Sequence, residues 1–109
     1  MVVTYKSKRI EEVCRIKEKM DDFFDHDKSL VINLQILIDL IDLESNIFNF
    51  KKPYYKGYNF EKCEGTKNKY SLRIIPKKRK SNYRMFLEPT DGGVEIEIVS
   101  INRHKYKFK

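Results

Sequence analysis

Between Tyr70 and Val99 the chain alternates three times between apolar and polar side chains, and this period of two constrains the fold more than any other feature. Tyr70, Leu72 and Ile74 alternate with Ser71, Arg73 and Ile75. Tyr83, Met85 and Leu87 alternate with Arg84, Phe86 and Glu88, and Val94, Ile96 and Ile98 with Glu95, Glu97 and Val99. Successive side chains of a strand point to opposite faces, so each run reads as a strand with one face buried. The links are short: residues 76–81, which carry Lys77, Lys78, Arg79 and Lys80, and residues 89–93, whose Asp91-Gly92-Gly93 is a hairpin signal. Short links between consecutive strands make an antiparallel meander.

The N-terminal half has a different period. Val2-Val3-Thr4-Tyr5 is a β-branched and aromatic run that ends near Ser7, a good helix N-cap. Ile10, Val13, Cys14 and Met20 then recur at near-helical spacing. An acidic connection over residues 21–27 follows, with Asp27 or Ser29 able to cap a second helix. That helix carries Leu30, Leu34, Leu37, Ile41 and Phe48 on one stripe and Ile36, Leu40, Leu43 and Ile47 on another. A helix apolar on two sides is expected to lie between a sheet and a second partner, either helix one or another chain. Residues 49–69, punctuated by Pro53, Gly57 and Gly65, form a Tyr- and Lys-rich connection in which residues 59–63 are strand-like. Its tyrosines Tyr54, Tyr55 and Tyr58 can stack on bases or cover the edge of a core. The order is β-α-α, a connection, then β-β-β. This is an α+β domain over residues 1–109, with two N-terminal helices packed on one face of an antiparallel sheet.

Charge is unevenly placed. Residues 1–50 hold seven Lys/Arg against ten Asp/Glu, a net −3, whereas residues 51–109 hold sixteen against six, a net +10. A basic half in a small chain points to phosphate-bearing partners, because lysine and arginine displace the counterions condensed on them. Cys14 and Cys63 stand far apart with no CxxC spacing, which indicates neither a disulfide framework nor a zinc site. The N-terminus reaches charge at Lys6 without the apolar run of a signal peptide, and residues 30–43 are interrupted by Asn33, Gln35, Asp39 and Asp42. A cytoplasmic protein without a membrane span is expected, its thiols reduced.

Strand parity gathers the candidate functional residues. With Leu72, Met85 and Ile96 turned to the helices, Arg73 and Arg84 face the other way, and extending the third strand places Arg103 on that same open face beside Glu95, Glu97, Val99 and Ile101. Lys67 and Lys69 precede the first of these strands, and His104, Lys105 and Tyr106 follow the last. Such a set holds the parts for cleaving RNA without a metal. Arginine forks match phosphate oxygens, an imidazole exchanges a proton near neutral pH, and aromatic rings stack on unpaired bases. The same set also suits a basic binding face with no chemistry. No Gly-rich phosphate loop, HExxH or Ser/His/Asp spacing occurs, and no cofactor is expected.

Four stretches carry a resemblance: VVTYKSKRIEEVC, LQILIDLIDLESNIFNF, YNFEKCEGTKNKYSLRI and YRMFLEPTDGGVEIEIVSINRHKYK. Together they resemble the RelE/ParE toxin superfamily, and within it the HigB, or plasmid-maintenance killer, branch of ribosome-dependent mRNA endonucleases. The third is similar to the family's "lkG…ysiRl" and the fourth to its "yRliF" strand with the closing strand and terminal segment. Arg73 falls on the "siR" arginine and Arg84 on that of "yRliF". The branch's final Asp-Tyr-His corresponds here to Asn102-Arg103-His104-Lys105-Tyr106, which keeps an imidazole, a phenol and a cation in a different order.

The resemblance implies a RelE-like fold and a type II toxin that cuts mRNA at the ribosome and so inhibits translation. In that reading Arg73, Arg84 and Arg103 stabilise phosphate charge, His104 or Tyr106 manages protons, and Lys67, Lys69, Lys77, Lys78, Arg79, Lys80 and Lys105 bind RNA. The implied partners are a DNA-binding antitoxin, the ribosome and mRNA, in a homodimer or a toxin–antitoxin heterotetramer. Two other functions share the scaffold: a ParE-like inhibitor of gyrase, and an inactive module that binds RNA or an antitoxin.

Overall fold

The computed structural model describes residues 1–77 and 83–103. Strand β1 (Val2–Tyr5) leads through Ser7, whose side chain accepts from the Ile10 amide, into α1 (Lys8–Arg15). The first helix expected from the sequence is two helices. Ile16 takes an extended conformation (φ −112°, ψ 115°) and α2 (Lys17–Phe23) restarts after it. This residue is β-branched and 41% exposed, so it lacks both the helix preference and the packing that would hold it helical.

Asp25 and His26 turn the chain in left-handed geometry (φ 51° and 65°), which short polar side chains tolerate. Asp27 then caps α3 (Lys28–Leu43) by accepting from the Leu30 amide. Helix α3 buries Leu30, Val31, Leu34, Leu37, Ile38 and Ile41. It stops before Phe48, because Ser45 and Asn46 follow and the Asn46 side chain accepts the Phe48 amide at 2.9 Å, starting a 3-10 turn over Ile47–Lys51. The expected second stripe divides accordingly: Ile36 and Leu43 stay in water beside Ile32, while Ile47 leaves the helix and is buried. A second 3-10 turn, Pro53–Tyr58, ends at Asn59 in left-handed geometry (φ 47°).

Then come β2 (Glu61–Lys62), β3 (Tyr70–Arg73), β4 (Tyr83–Thr90) and β5 (Glu95–Arg103). The spatial order is β1-β5-β4-β3-β2. The meander is antiparallel as its short links require, but β1 runs parallel to β5, pairing Val3 with Ile96 and Tyr5 with Ile98. The sheet is therefore mixed, where the sequence predicts an antiparallel one, and the strand-like residues 59–63 supply its fifth strand, β2. Period two reports which face a side chain takes, but says nothing of the direction of a neighbour brought in from far along the chain. Leu72, Met85, Leu87, Ile96, Ile98 and Ile101 form one buried cluster with Val13, Cys14, Leu34, Leu37 and Ile41 of the helices. No helix among the described residues is long and apolar enough to cross a membrane.

Pairing of β4 with β5 is interrupted once. Phe86 faces Ser100 and Leu87 faces Ile98, which leaves Val99 as an extra residue on β5. A bulge of this kind moves every later side chain of the strand to the other face. Before it Ile96 and Ile98 are buried, and after it Ile101 is.

Candidate nucleic-acid interface

The face turned away from the helices is read from the register. Ser71 and Arg73 of β3 stand on it, with Arg84, Phe86 and Glu88 of β4 and Glu95, Glu97, Ser100 and Asn102 of β5. Its charges are segregated. Glu88 and Glu97 are direct partners at one end, and Arg73 and Arg84 are direct partners at the other. Like charges placed directly opposite each other destabilise a sheet unless something offsets them.

The two arginines differ in surroundings. Arg84 is only 5% exposed. Its Nε donates to Ser71 Oγ at 2.8 Å and its Nη2 to the Asn59 carbonyl at 2.6 Å, with the Glu61 carboxylate 3.9 Å away. The side chain therefore lies across β3 toward β2, and a buried charge is tolerable only with such partners. Arg73 is half-buried, and among the described residues no carboxylate or carbonyl takes its guanidinium. The sequence brings Arg73 and Arg84 to one face, as the structure does. It does not reveal that Arg84 is fastened by Ser71, Asn59 and Glu61, since that depends on β2, a two-residue strand with little periodicity to read.

Arg103 does not join them. The Val99 bulge puts Arg103 opposite Tyr83 on the helix side of the sheet, its guanidinium 5.4 Å from the centre of the Tyr83 ring. Ile101, expected on the open face, is buried in the core for the same reason. Lys67 is exposed and Lys69 half-buried in the β2–β3 connection, where the Lys69 carbonyl accepts the Cys63 amide. Lys77 is exposed, and its amide donates to the Gly57 carbonyl at 2.8 Å. Lys78, Arg79, Lys80, His104, Lys105 and Tyr106 lie outside the described residues.

One further group of donor atoms occurs at the α2–α3 turn, where Asp21, Asp22 and His26 bring ligand atoms within 4.8 Å of one another. His26 Nδ1 is already hydrogen-bonded to Asp21, and that bond, with the nearby carboxylate charge, raises the imidazole pKa. No protein-family model matches the chain, and a search of curated proteins returns no match.

In chemical terms the open face offers one arginine free to form a fork on phosphate, beside a second held as a fixed positive charge. The Glu61 carboxylate, 3.9 Å from Arg84 Nη2, adds a counter-charge on the β2 side of that pair.

Proposed function

We propose that the chain is an RNA-cleaving toxin of the RelE/HigB kind, which binds mRNA at the ribosome and cuts it without a metal. The observation that carries this reading is the Arg73–Arg84 pair. Arg73 has no acceptor for its guanidinium among the described residues, and the buried charge of Arg84 opposite it, held by Ser71, Asn59 and Glu61, adds to the attraction for an anion there. The +10 charge of residues 51–109 and the resemblance of the SLRI and YRMFL segments to the family's arginine-bearing strands support it. Arg73 takes an equatorial phosphate oxygen while Arg84 adds charge from a fixed position. The 2′-hydroxyl attacks the adjacent phosphorus, the 5′-oxygen leaves with a proton, and a 2′,3′-cyclic phosphate remains. His104 or Tyr106 moves the protons. An antitoxin is the partner, and the Ile32, Ile36 and Leu43 face of α3 is available to it.

The test is cleavage of ribosome-bound mRNA by the purified chain after a chelator has stripped it of any bound transition metal and been removed. Cyclic phosphate ends are expected, and Arg73→Ala should lose on the order of 10²–10³ in rate, the usual loss for one preorganised charge stabiliser. Arg73 is the informative position because Arg84 also supports the fold. Intact mRNA beside inhibited gyrase would select the ParE-like function instead.

A further inference from the structure

We infer that the turn from Lys51 to Tyr58 is a second RNA contact, a platform on which Tyr54 stacks an unpaired base while Lys51, Lys52 and Lys56 hold its phosphates. The inference rests on RNA being the ligand, as above, but not on cleavage.

Between Glu44 and Glu61 the chain carries no acidic residue. Lys51, Lys52 and Lys56 are all exposed and none forms an ion pair among the described residues; Lys51 Nζ lies over the Phe48 ring at 5.0 Å, and the Lys52 charge helps to lower the Glu44 pKa. Within this positive turn the three tyrosines part company. Tyr55 and Tyr58 are buried, whereas Tyr54 is 69% exposed.

Exposure alone would leave Tyr54 an ordinary surface residue; its backing makes it a platform. Its ring centre lies 4.7 Å from that of Tyr55. Tyr55 in turn stacks on Phe50 at 4.2 Å and donates its hydroxyl to Glu44 at 2.6 Å. The two rings are tilted by 52°, so the fixed Tyr55 ring limits the sweep of Tyr54 from one side without stacking on it, which lowers part of the ordering cost of laying a base against the open side. An exposed aromatic ring among lysines is an arrangement that suits single-stranded nucleic acid, since a base offers its flat face only when unpaired. A membrane surface is a poorer match, because Phe48 and Phe50 of this segment turn inward and leave Tyr54 as its exposed large ring.

The platform is joined to the arginine pair through the backbone. The Gly57 carbonyl accepts the Lys77 amide, and the Asn59 carbonyl accepts Arg84. Lys77 also packs on Gly57, where an added Cβ would come within 3.0 Å of the Lys77 side chain. Lys77 thus joins Arg73, four residues earlier, to the turn that carries Lys56 and Tyr54.

The experiment is fluorescence anisotropy of the full chain with a labelled 2′-O-methyl oligoribonucleotide of about ten residues, which cannot be cut through its 2′ position. Tyr54→Leu should weaken binding by roughly 5- to 150-fold, the range for loss of one stacked base, and Tyr54→Phe should stay within about twofold of the parent. The pair Lys52→Gln and Lys56→Gln should lower the slope of log K against log salt by about 1.4. It decides the matter if Tyr54→Leu fails to fold. The same oligonucleotide annealed to its complement should bind more weakly. Equal affinity of the parent and Tyr54→Leu, equal affinity for the duplex, or binding only to anionic vesicles would overturn the platform. If mRNA is cut while Tyr54→Leu binds like the parent, the platform alone falls; if binding depends on Tyr54 and no mRNA is cut, the nuclease reading alone falls.

Discussion

The Arg84 guanidinium donates to the carbonyl of Asn59, 25 residues earlier, at 2.6 Å, and Asn59 presents that carbonyl from a left-handed conformation. Arg84 therefore ties the connection ahead of β2 to the middle of the sheet.

Substitutions at the two paired arginines should have opposite effects on stability. Arg84→Ala removes a buried, charged donor from Ser71 and Asn59, and should cost roughly 1.5–3 kcal/mol in urea unfolding. Arg73→Ala relieves a like-charge pair and should leave the midpoint unchanged or slightly raised. A large loss at Arg73 and none at Arg84 would reverse the roles assigned to them.

Acid should unfold the chain partly through Asp42 and Glu44. Hydrogen bonds from Arg15 hold Asp42 below the usual carboxylate range, and those from the Tyr55 hydroxyl and Asn49 do the same for Glu44. A depressed pKa contributes stability that is fully present above the unfolded value, about 4, and is lost as pH falls through the folded one. The melting temperature should drop below about pH 4, and Glu44→Gln should flatten that arm of the profile.

His26 has the opposite sign. Its pKa is raised chiefly by the hydrogen bond to Asp21, so its small contribution is complete below about pH 6.5 and disappears as pH rises through the folded value. A proton NMR titration should put its midpoint above 6.5, and Asp21→Asn should move it back.

Cys14 should be inert in the folded state. Burial pushes its thiol up to about 12, leaving almost no thiolate at neutral pH. A thiol reagent should modify Cys14 only after denaturant is added, read by mass spectrometry of the labelled peptide.

Gly93 should not accept a side chain. At φ 98° an added Cβ would lie 2.4 Å from Asn46 Oδ1, the atom that accepts the Phe48 amide. Gly93→Ala should lower stability by more than about 1 kcal/mol, measured by denaturant unfolding.

The caps at Ser7 and Asp27, the three meander strands and the shared face of Arg73 and Arg84 are legible in the sequence, because each follows from a local period or a local hydrogen bond. Strand parity alone misses the bulge at Val99 and puts Arg103 and Ile101 on the wrong face, although the sequence carries a signal for it. Apolar residues switch there from even positions, Ile96 and Ile98, to odd ones, Val99 and Ile101, and that switch moves Arg103 to the other face. The break at Ile16 carries no such mark because one exposed β-branched residue leaves the apolar spacing unchanged, and the burial of Arg84 carries none because Ser71, Asn59 and Glu61, distant in the sequence, settle it.

Strand β1 has only β5 to pair with, and Val3 meets Ile96 across nearly the whole length of the chain. During synthesis β1 must wait for β5 to leave the ribosomal exit tunnel. Until then the apolar side chains of α3 have a sheet missing one of its central members, and the nascent chain is open to proteases and chaperones. Completion of the sheet is thus delayed until β5 has been made, and slowed by the long loop that has to close.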